Sequence, residues 1–352
     1  MAIRKRHLLI GIAALPVAAV VFAWLGIFNV AATGGHWQIT NWFLHFAMRS
    51  SVRTYALGVK VPPRDISLLQ PAAGHFAQGC AFCHGAPGVP PSPAALAMLP
   101  TPPNLSGVIG EWTDAQLFRI VRHGVRYTGM PAWPAPERTD EVWAMVAFLR
   151  ELPSLDARKY HELAEGSAKA ATAQETGFDA ALAGCARCHG SDGIGRGEGV
   201  PILAGQSSVY LRASLEAYAK RKRPSGMMEV AVEQAGGGTF EALAKHYAAQ
   251  PRPSRAPLAA DPALVGRGKE IAERGVPGDG VPACLGCHGG TRKNPAYPNL
   301  AGQKRSYLEN QLRLFVGGKR GGTAYAHIMA KAVKNLSETD IKSVAGYLAS
   351  ME

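Results

Sequence analysis

All six cysteines of the chain occur in pairs within one repeated string, in which two cysteines are separated by two residues and followed at once by histidine. The strings are Cys80-Ala-Phe-Cys83-His84, Cys185-Ala-Arg-Cys188-His189 and Cys284-Leu-Gly-Cys287-His288. Two thiols at this spacing form thioethers to the vinyl groups on one edge of a porphyrin, and the next residue places its imidazole beneath the iron. The strings therefore predict three covalently attached c-type haems.

Three other uses of paired cysteines fit the sequence less well. A structural zinc site needs four ligands from neighbouring clusters, whereas these strings lie far apart and each carries its own histidine. A thioredoxin-like redox pair needs a βαβ setting and no following histidine. Disulfides within such short loops would constrain little of the chain. Haem attachment is the preferred interpretation.

The sequence around the strings repeats as well. Each string follows a short helical segment and precedes a loop, a proline-containing turn and a closing helix. The turns read Pro103-Asn-Leu-Ser-Gly107, Pro201-Ile-Leu-Ala-Gly205 and Pro298-Asn-Leu-Ala-Gly302. The second and third repeats also share Gln206 and Gln303, followed by Tyr210 and Tyr307 at equal spacing. These two repeats are duplicates, and the first is a more distant relative.

In these strings and turns the chain resembles class I cytochromes c, and its second and third repeats resemble the tandem dihaem members of that class. The resemblance covers roughly residues 66 to 352. It implies an all-α fold with a small helical module around each haem, histidine on one side of the iron and methionine on the other. The predicted organisation is a membrane anchor and aromatic segment (1–65), a first module (66–152), a linker (153–173), a second module (174–250) and a third module (262–352).

Methionine is the usual partner of histidine in cytochromes c. In the first module the candidate is Met130, in a loop shaped by Gly129 and Pro131. Met98 lies in a loop rich in proline and alanine, and Met145 lies on the apolar face of the closing helix, where core filling explains it better. In the third module Met329 is the only methionine between the haem string and the closing helix.

The second module offers adjacent Met227 and Met228, of which only one can bind the iron. Aligning Met228-Glu-Val-Ala-Val with Met329-Ala-Lys-Ala-Val favours Met228, although the later Gly236-Gly-Gly238 adds one residue and leaves the choice open. Histidine could replace methionine, but a lone histidine is more often a core or surface residue; the candidates are His75, His123, His246 and His327. The predicted axial ligands are His84, Met130, His189, Met228, His288 and Met329.

The N-terminus carries Arg4, Lys5 and Arg6 before an apolar run of 25 residues, Leu8 to Ala32, that lacks charged side chains. Because about 20 helical residues cross a bilayer core of about 30 Å, we expect a membrane anchor. A cleaved signal peptide is the alternative, but its apolar segment is usually about 7–15 residues long. The basic flank predicts modules on the periplasmic side of a bacterial inner membrane. An interfacial belt or a short core helix is predicted for Trp37, Trp42, Phe43 and Phe46.

The formal net charge of +12 favours acidic partner surfaces or anionic lipid. Basic clusters at Lys220-Arg-Lys-Arg223 and Lys319-Arg320 could dock an acidic redox protein, remain solvated, or pair with haem propionates. Iron held by histidine and methionine has no open position, so no catalytic residue is predicted.

The resemblance implies a carrier of single electrons between membrane or periplasmic redox partners, with a terminal oxidase as the expected acceptor. Two alternatives are the cytochrome subunit of a periplasmic dehydrogenase complex, and a haem enzyme or sensor with one open iron. No binding of nucleic acid is expected. If the duplicated modules pair as in their relatives, the first would be the mobile one.

Overall fold

The computed structural model describes residues 5–27, 29–166, 176–253, 262–290 and 294–351. Within these ranges the chain forms helices and turns and contains no strand, apart from two isolated bridges. The predicted all-α class is therefore confirmed.

Two helices precede the first module, α1 (Lys5–Trp24) and α2 (Gln38–Tyr55). The second half of α2 packs on that module through buried Val52, and the Arg49 guanidinium lies 2.7 Å from the Glu111 carboxylate. The aromatic residues of the first half remain exposed, namely Trp37, Trp42, Phe43 and Phe46. The segment thus combines features of both predictions, since one part packs on the module and the other presents aromatic rings to the outside.

No helix within the described residues is both long enough and apolar enough to cross a membrane. The predicted anchor from Leu8 to Ala32 therefore finds no support in the structure. Arg4 of its basic flank and Phe28 within it lie outside the described residues.

The first module has a single apolar core. Its largest fully buried side chains are Phe76, Met145 and Phe148, with Trp133 beside them. The helices are α3 (Leu69–Gly79), α4 (Ala81–His84), α5 (Pro93–Leu96), α6 (Leu105–Val108), α7 (Asp114–His123) and α8 (Thr139–Glu151).

The described part of the predicted linker 153–173 is folded. It contains α9 (Ala157–Ala164), which begins where the Asp156 carboxylate accepts a hydrogen bond from the Lys159 amide. Tyr160 and Ala164 of α9 are buried in the first core, where Tyr160 contacts the Phe76 ring edge-on. Helix α9 therefore belongs with the first module, and residues 167–173 of the predicted linker lie outside the described residues.

The second and third modules repeat one helix order. The second contains α10 (Gly177–His189), α11 (Ser208–Ala219), α12 (Gly226–Ala235) and α13 (Phe240–Ala249); the third contains α14 (Pro262–Arg274), α15 (Leu285–His288), α16 (Arg305–Val316), α17 (Ala326–Val333) and α18 (Glu338–Ser350). In the third module α14 crosses α18 at Gly268, where a Cβ atom would collide with the Ser343 carbonyl. Only glycine permits this close approach of the two backbones.

Candidate haem-binding sites

Each cysteine string forms a helical turn that ends at its histidine. The first follows α3 and includes α4, the second lies at the end of α10, and the third includes α15. The His84 amide donates to the Cys80 carbonyl at 3.0 Å, and the His288 amide donates to the Cys284 carbonyl at 3.0 Å. Residues three and four apart on a helix are neighbours. This turn therefore brings both thiols and the imidazole of each string together.

The thiols are unpaired and most of them are enclosed. Burial raises the pKa of Cys80 and Cys185 to about 12, and that of Cys284 to about 11. Because a thiolate is disfavoured in apolar surroundings, these sulfurs suit a neutral thioether better than an ionic metal bond. No group of three or more His, Cys, Asp or Glu side chains in the described ranges could hold a metal ion.

In the first and third modules the proline of the repeated turn faces the histidine of the same module. The Pro103 carbonyl lies 2.9 Å from His84 Nδ1, and the Pro298 carbonyl lies 3.0 Å from His288 Nδ1. A carbonyl can only accept, so Nδ1 carries the hydrogen and Nε2 carries the lone pair that a metal would bind. The repeated prolines thus have a role that the sequence pattern did not reveal.

His189 is the most enclosed of the three histidines. Burial lowers its pKa to about 4, although the Pro201 carbonyl, as a hydrogen-bond acceptor, acts in the opposite direction. The imidazole is therefore neutral at physiological pH, which is the form in which histidine binds a metal.

One cavity is bordered by both the second and the third strings. Its walls are mainly apolar and aromatic and come from all three modules, and they include Met329, Met227 and Met228. The structure thus brings these predicted ligands together around a shared space. Its size and apolar character suit large planar groups such as porphyrins.

The first string has a separate cleft, lined by residues that include His84, Gly85, Asn104 and Leu105. None of the described residues that line this cleft is a methionine. Met130 lies in the loop after α7, where its amide donates to Thr128 Oγ1 at 3.1 Å. The pairing of Met130 with His84 therefore stays a prediction.

Of the other candidate methionines and histidines, His75 borders the shared cavity, and its buried Nδ1 has no hydrogen-bond partner among the described residues. Met145 is 2% exposed in the first core, as core filling predicts, and the Met98 methyl group packs against Gly129. His246 Nε2 lies 2.8 Å from the Ser191 carbonyl. His75 is buried and contacts the Trp133 ring at a centroid distance of 4.7 Å. His123 ends α7 and His327 is exposed on α17.

A reciprocal amide pairing joins the second and third modules. Gln206 Oε1 accepts from the Asn299 amide at 2.8 Å, and Gln206 Nε2 donates to the Asn299 carbonyl at 2.8 Å. Gln303 Oε1 accepts from the Ile202 amide at 2.8 Å, and Gln303 Nε2 donates to the Ile202 carbonyl at 3.0 Å. Each glutamine therefore binds the residue after the proline of the other module's repeated turn. The junction has the self-complementary form of a two-fold interface.

Two arginines from equivalent positions border the shared cavity. Arg223 is 4% exposed and lies over the Tyr218 ring at 4.5 Å, and Arg320 lies over the Phe315 ring at 5.1 Å. Burial alone would raise the pKa of Tyr210, but the charges of Arg223 and Arg320 lower it to about 8.

No carboxylate within the described ranges forms an ion pair with Arg223 or Arg320. A buried cation needs a compensating anion, so this pair suits the propionates of haem. Of the basic cluster around it, Lys220, Arg221 and Lys222 are exposed. The prediction that the cluster is a docking surface or a solvated loop is therefore wrong for Arg223, which lies inside the junction.

The first module also reaches the second string. At Gly74 of α3, a Cβ atom would lie 3.0 Å from the Cys188 sulfur. Gln70 Nε2 donates to the Arg187 carbonyl at 3.2 Å, and Arg196 Nη2 donates to the Glu162 carbonyl at 2.6 Å. The first module therefore packs directly on the second, and its expected mobility stays a prediction.

Two family models match the chain. Residues 68–149 match the model described as cytochrome C oxidase, cbb3-type, subunit III, and residues 174–245 and 265–352 match cytochrome c. A thiosulfate dehydrogenase electron acceptor of Stutzerimonas stutzeri (strain A1501) is 30% identical over 178 residues, which are 50% of this chain and 82% of that protein. Cytochrome c4 of Azotobacter vinelandii is 34% identical over 179 residues, which are 47% of this chain and 84% of that protein.

A crystal structure of reduced recombinant cytochrome c4 from Pseudomonas stutzeri is 28% identical to this chain. The match covers 50% of this chain and 100% of the cytochrome c4 chain, with a TM-score of 0.44. The curated relatives are cytochromes that act in electron transfer, and their family implies covalently bound haem c. With an identity of 34% to a relative of which it covers 84%, the chain belongs to the cytochrome c family and is an electron-transfer protein rather than an enzyme.

Proposed function

We propose that the chain binds three haem c groups and passes single electrons among them. The attachment residues are Cys80, Cys83, Cys185, Cys188, Cys284 and Cys287, and the axial pairs are His84 with Met130, His189 with Met228, and His288 with Met329. The observation that carries the proposal is the cavity shared by two strings, because His189, His288 and their candidate methionines border it together with two arginines that pair with no described carboxylate.

When bound, haem supplies an iron that accepts and releases one electron at a time. The residues of the chain hold the haem and set its reduction potential. The proline carbonyls fix the imidazole tautomer, which keeps Nε2 directed for bonding. Apolar walls limit contact with water, and Arg223 and Arg320 offset negative charge at the junction. Full ligation from both sides leaves no position for substrate.

The surroundings of the two adjacent methionines favour Met228 as the ligand in the second module. Met227 packs against the apolar core of the first module, whereas Met228 borders the cavity without that contact. A side chain already held by another module is less available to the iron.

A periplasmic dehydrogenase is the partner that the comparisons favour. The support is the name of a relative, thiosulfate dehydrogenase electron acceptor, which matches 50% of this chain. A terminal oxidase is the second candidate, supported by the cbb3-type oxidase family model that matches residues 68–149. Co-purification of a larger catalytic subunit would favour the dehydrogenase, and rapid oxidation by oxidase-containing membranes would favour the oxidase.

We further propose that the modules face the periplasm and that α1 holds the chain at the inner membrane. The support is the exposed apolar surface of α1, where Leu9, Ile12 and Leu15 are all more than half exposed. Fractionation with alkaline carbonate tests this proposal, because a chain released into the soluble fraction would contradict it.

An optical spectrum of the reduced protein, with and without carbon monoxide, tests the main proposal together with a pyridine haemochrome count. We expect three haems per chain, a methionine-to-iron band near the far red in the oxidised form, and no shift with carbon monoxide. Fewer haems would refute the proposed cofactor content. A clear shift would reveal an open iron and would favour the haem enzyme or sensor.

A further inference from the structure

A carboxylate of the first module lies at the start of the helix that carries Met227 and Met228. Glu141, on α8, is 4% exposed. Its Oε1 accepts from Ser225 Oγ at 2.6 Å, and its Oε2 accepts from the Gly226 amide at 2.7 Å. Trp133 Nε1 donates to the same Oε2 at 3.3 Å. One buried carboxylate thus binds both residues that begin α12.

Arg138 of the first module holds the residue just before that point. Its Nη1 donates to the Pro224 carbonyl at 2.7 Å, and its Nη2 lies 3.0 Å from Glu141 Oε1 and 2.8 Å from Asp140 Oδ2. Both Arg138 and Glu141 are buried, so each depends on the other for charge compensation. The turn from Pro224 to Gly226 is therefore held from both ends by the first module.

The same turn sets the direction of the two methionines. Ser225 Oγ, which donates to Glu141, also accepts from the Met228 amide at 3.1 Å and so caps α12. A Cβ atom at Gly226 would collide with the Trp133 indole, so the backbone lies directly against the first module. Successive helical residues point about 100° apart. Because the start of α12 is fixed and Met227 packs in the first core, the next side chain, Met228, points away from that core.

The third module lacks an equivalent arrangement. The residue before α17, Tyr325, makes no side-chain capping bond. Met329 packs against the third core. The contacts of Glu141 and Arg138 with the start of α12 therefore concern the second haem alone.

We propose that the first module selects the axial ligand of the second haem. Glu141 and Arg138 fix the first turn of α12, so that Met227 is held in the first core and Met228 is presented to the iron. Both border the shared cavity, but they act on the ligand through Pro224, Ser225 and Gly226 and are therefore positioning residues. The inference rests on the proposed ligation by methionine.

The test is the variant Glu141→Gln in the full chain with its haems. The amide keeps the size of the side chain but places a donor group against the Ser225 hydroxyl or the Gly226 amide. We expect the haemochrome count to stay at three while the methionine-to-iron band of one haem in three is lost or displaced. We also expect one of the three reduction potentials to fall, because weaker methionine ligation favours oxidised iron.

Asp114→Asn is the matched control. It neutralises another carboxylate of the first module that pairs with an arginine, but Asp114 bonds to Arg150 and not to the Pro224–Gly226 turn. If Glu141→Gln is poorly folded, Ser225→Ala removes the hydroxyl that links Glu141 to the Met228 amide, and we expect the same loss from it.

Unchanged bands and potentials in both Glu141→Gln and Ser225→Ala would overturn the inference, and so would an equal change in Asp114→Asn. Those outcomes leave the proposed function intact. If the wild-type protein carries three haems and shows no methionine band, the proposed ligation itself fails and the inference falls with it.

Discussion

The reciprocal glutamine pairs provide the most direct test of how the second and third modules join. Replacing Gln206 by alanine removes two hydrogen bonds of 2.8 Å and leaves the Asn299 amide and carbonyl without these partners. Each neutral hydrogen bond contributes about 1 kcal/mol net, and a buried group left unpaired costs about 1–3 kcal/mol. We therefore expect Gln206→Ala to lower the free energy of unfolding by about 2 kcal/mol.

Gln303→Ala should cost at least as much. Its partner Ile202 is 1% exposed, and Gln303 Oε1 also accepts from the Lys304 amide at 2.9 Å. For a unit the size of two modules, about 2 kcal/mol corresponds to a fall in melting temperature of roughly 4–8 °C. Because both pairs belong to one interface, the double variant should cost less than the sum of the single variants.

The assay is guanidinium chloride unfolding of the haem-loaded chain, followed by far-UV circular dichroism. Gln250→Ala is the matched control, since its side chain donates only to the His246 carbonyl of its own helix, at 3.3 Å. If Gln206→Ala and Gln303→Ala both stay within about 0.5 kcal/mol of Gln250→Ala, the amide pairs do not hold the modules together and the reasoning is wrong.

Three further predictions follow from buried groups. Burial lowers the pKa of His75 from 6.5 to about 4. Its neutral form therefore stabilises the fold above pH 6.5, and this contribution of about 3 kcal/mol is lost as the pH falls towards 4. In His75→Phe the free energy of unfolding should change less between pH 6.5 and pH 4 than in the unaltered protein. Met228→Leu should remove the methionine-to-iron band of one haem, whereas Met227→Leu should keep it, as read from the oxidised spectrum. Arg320→Gln removes a cation at the shared cavity, so we expect potentiometric titration to show lower potentials for the second and third haems, because a nearby cation favours the reduced iron.

Each of these has a distinct contrary outcome. An unchanged pH profile in His75→Phe would show that other groups dominate the acid response. Loss of the band in Met227→Leu alone would reverse the assignment of the ligand. If Arg320→Gln lowers the potential of the first haem only, Arg320 does not act at the second and third sites. The control is Arg126→Gln, which removes a cation from the first module instead.

The haem strings and the duplication could be read from the sequence because both depend on the covalent spacing of nearby residues. A cysteine, a second cysteine three positions later and an adjacent histidine meet in one helical turn whatever surrounds them. The shared Gln206 and Gln303 showed that two modules are copies. Their spacing did not reveal that each glutamine binds the other module.

The sequence could not place the charged groups. Arg223 ends a run of basic residues for which docking, solvation and pairing with haem propionates all stayed open, and in the structure it is only 4% exposed, at the junction. Glu141 gave no signal at all, since a glutamate on a helix is ordinarily solvated. The alanine-rich sequence around Tyr160 indicated a linker and gave no sign that this segment is folded.

The sequence by itself determined the strings for three haems, their histidines and the three-fold repeat of small helical modules. The tertiary structure decided which modules touch, which arginines are buried and which of two adjacent methionines is held by another module. The physical reason is that the first set follows from contacts within a few residues, which chain geometry fixes. The second set follows from packing between residues as far apart as Glu141 and Ser225, and only the folded chain brings these together.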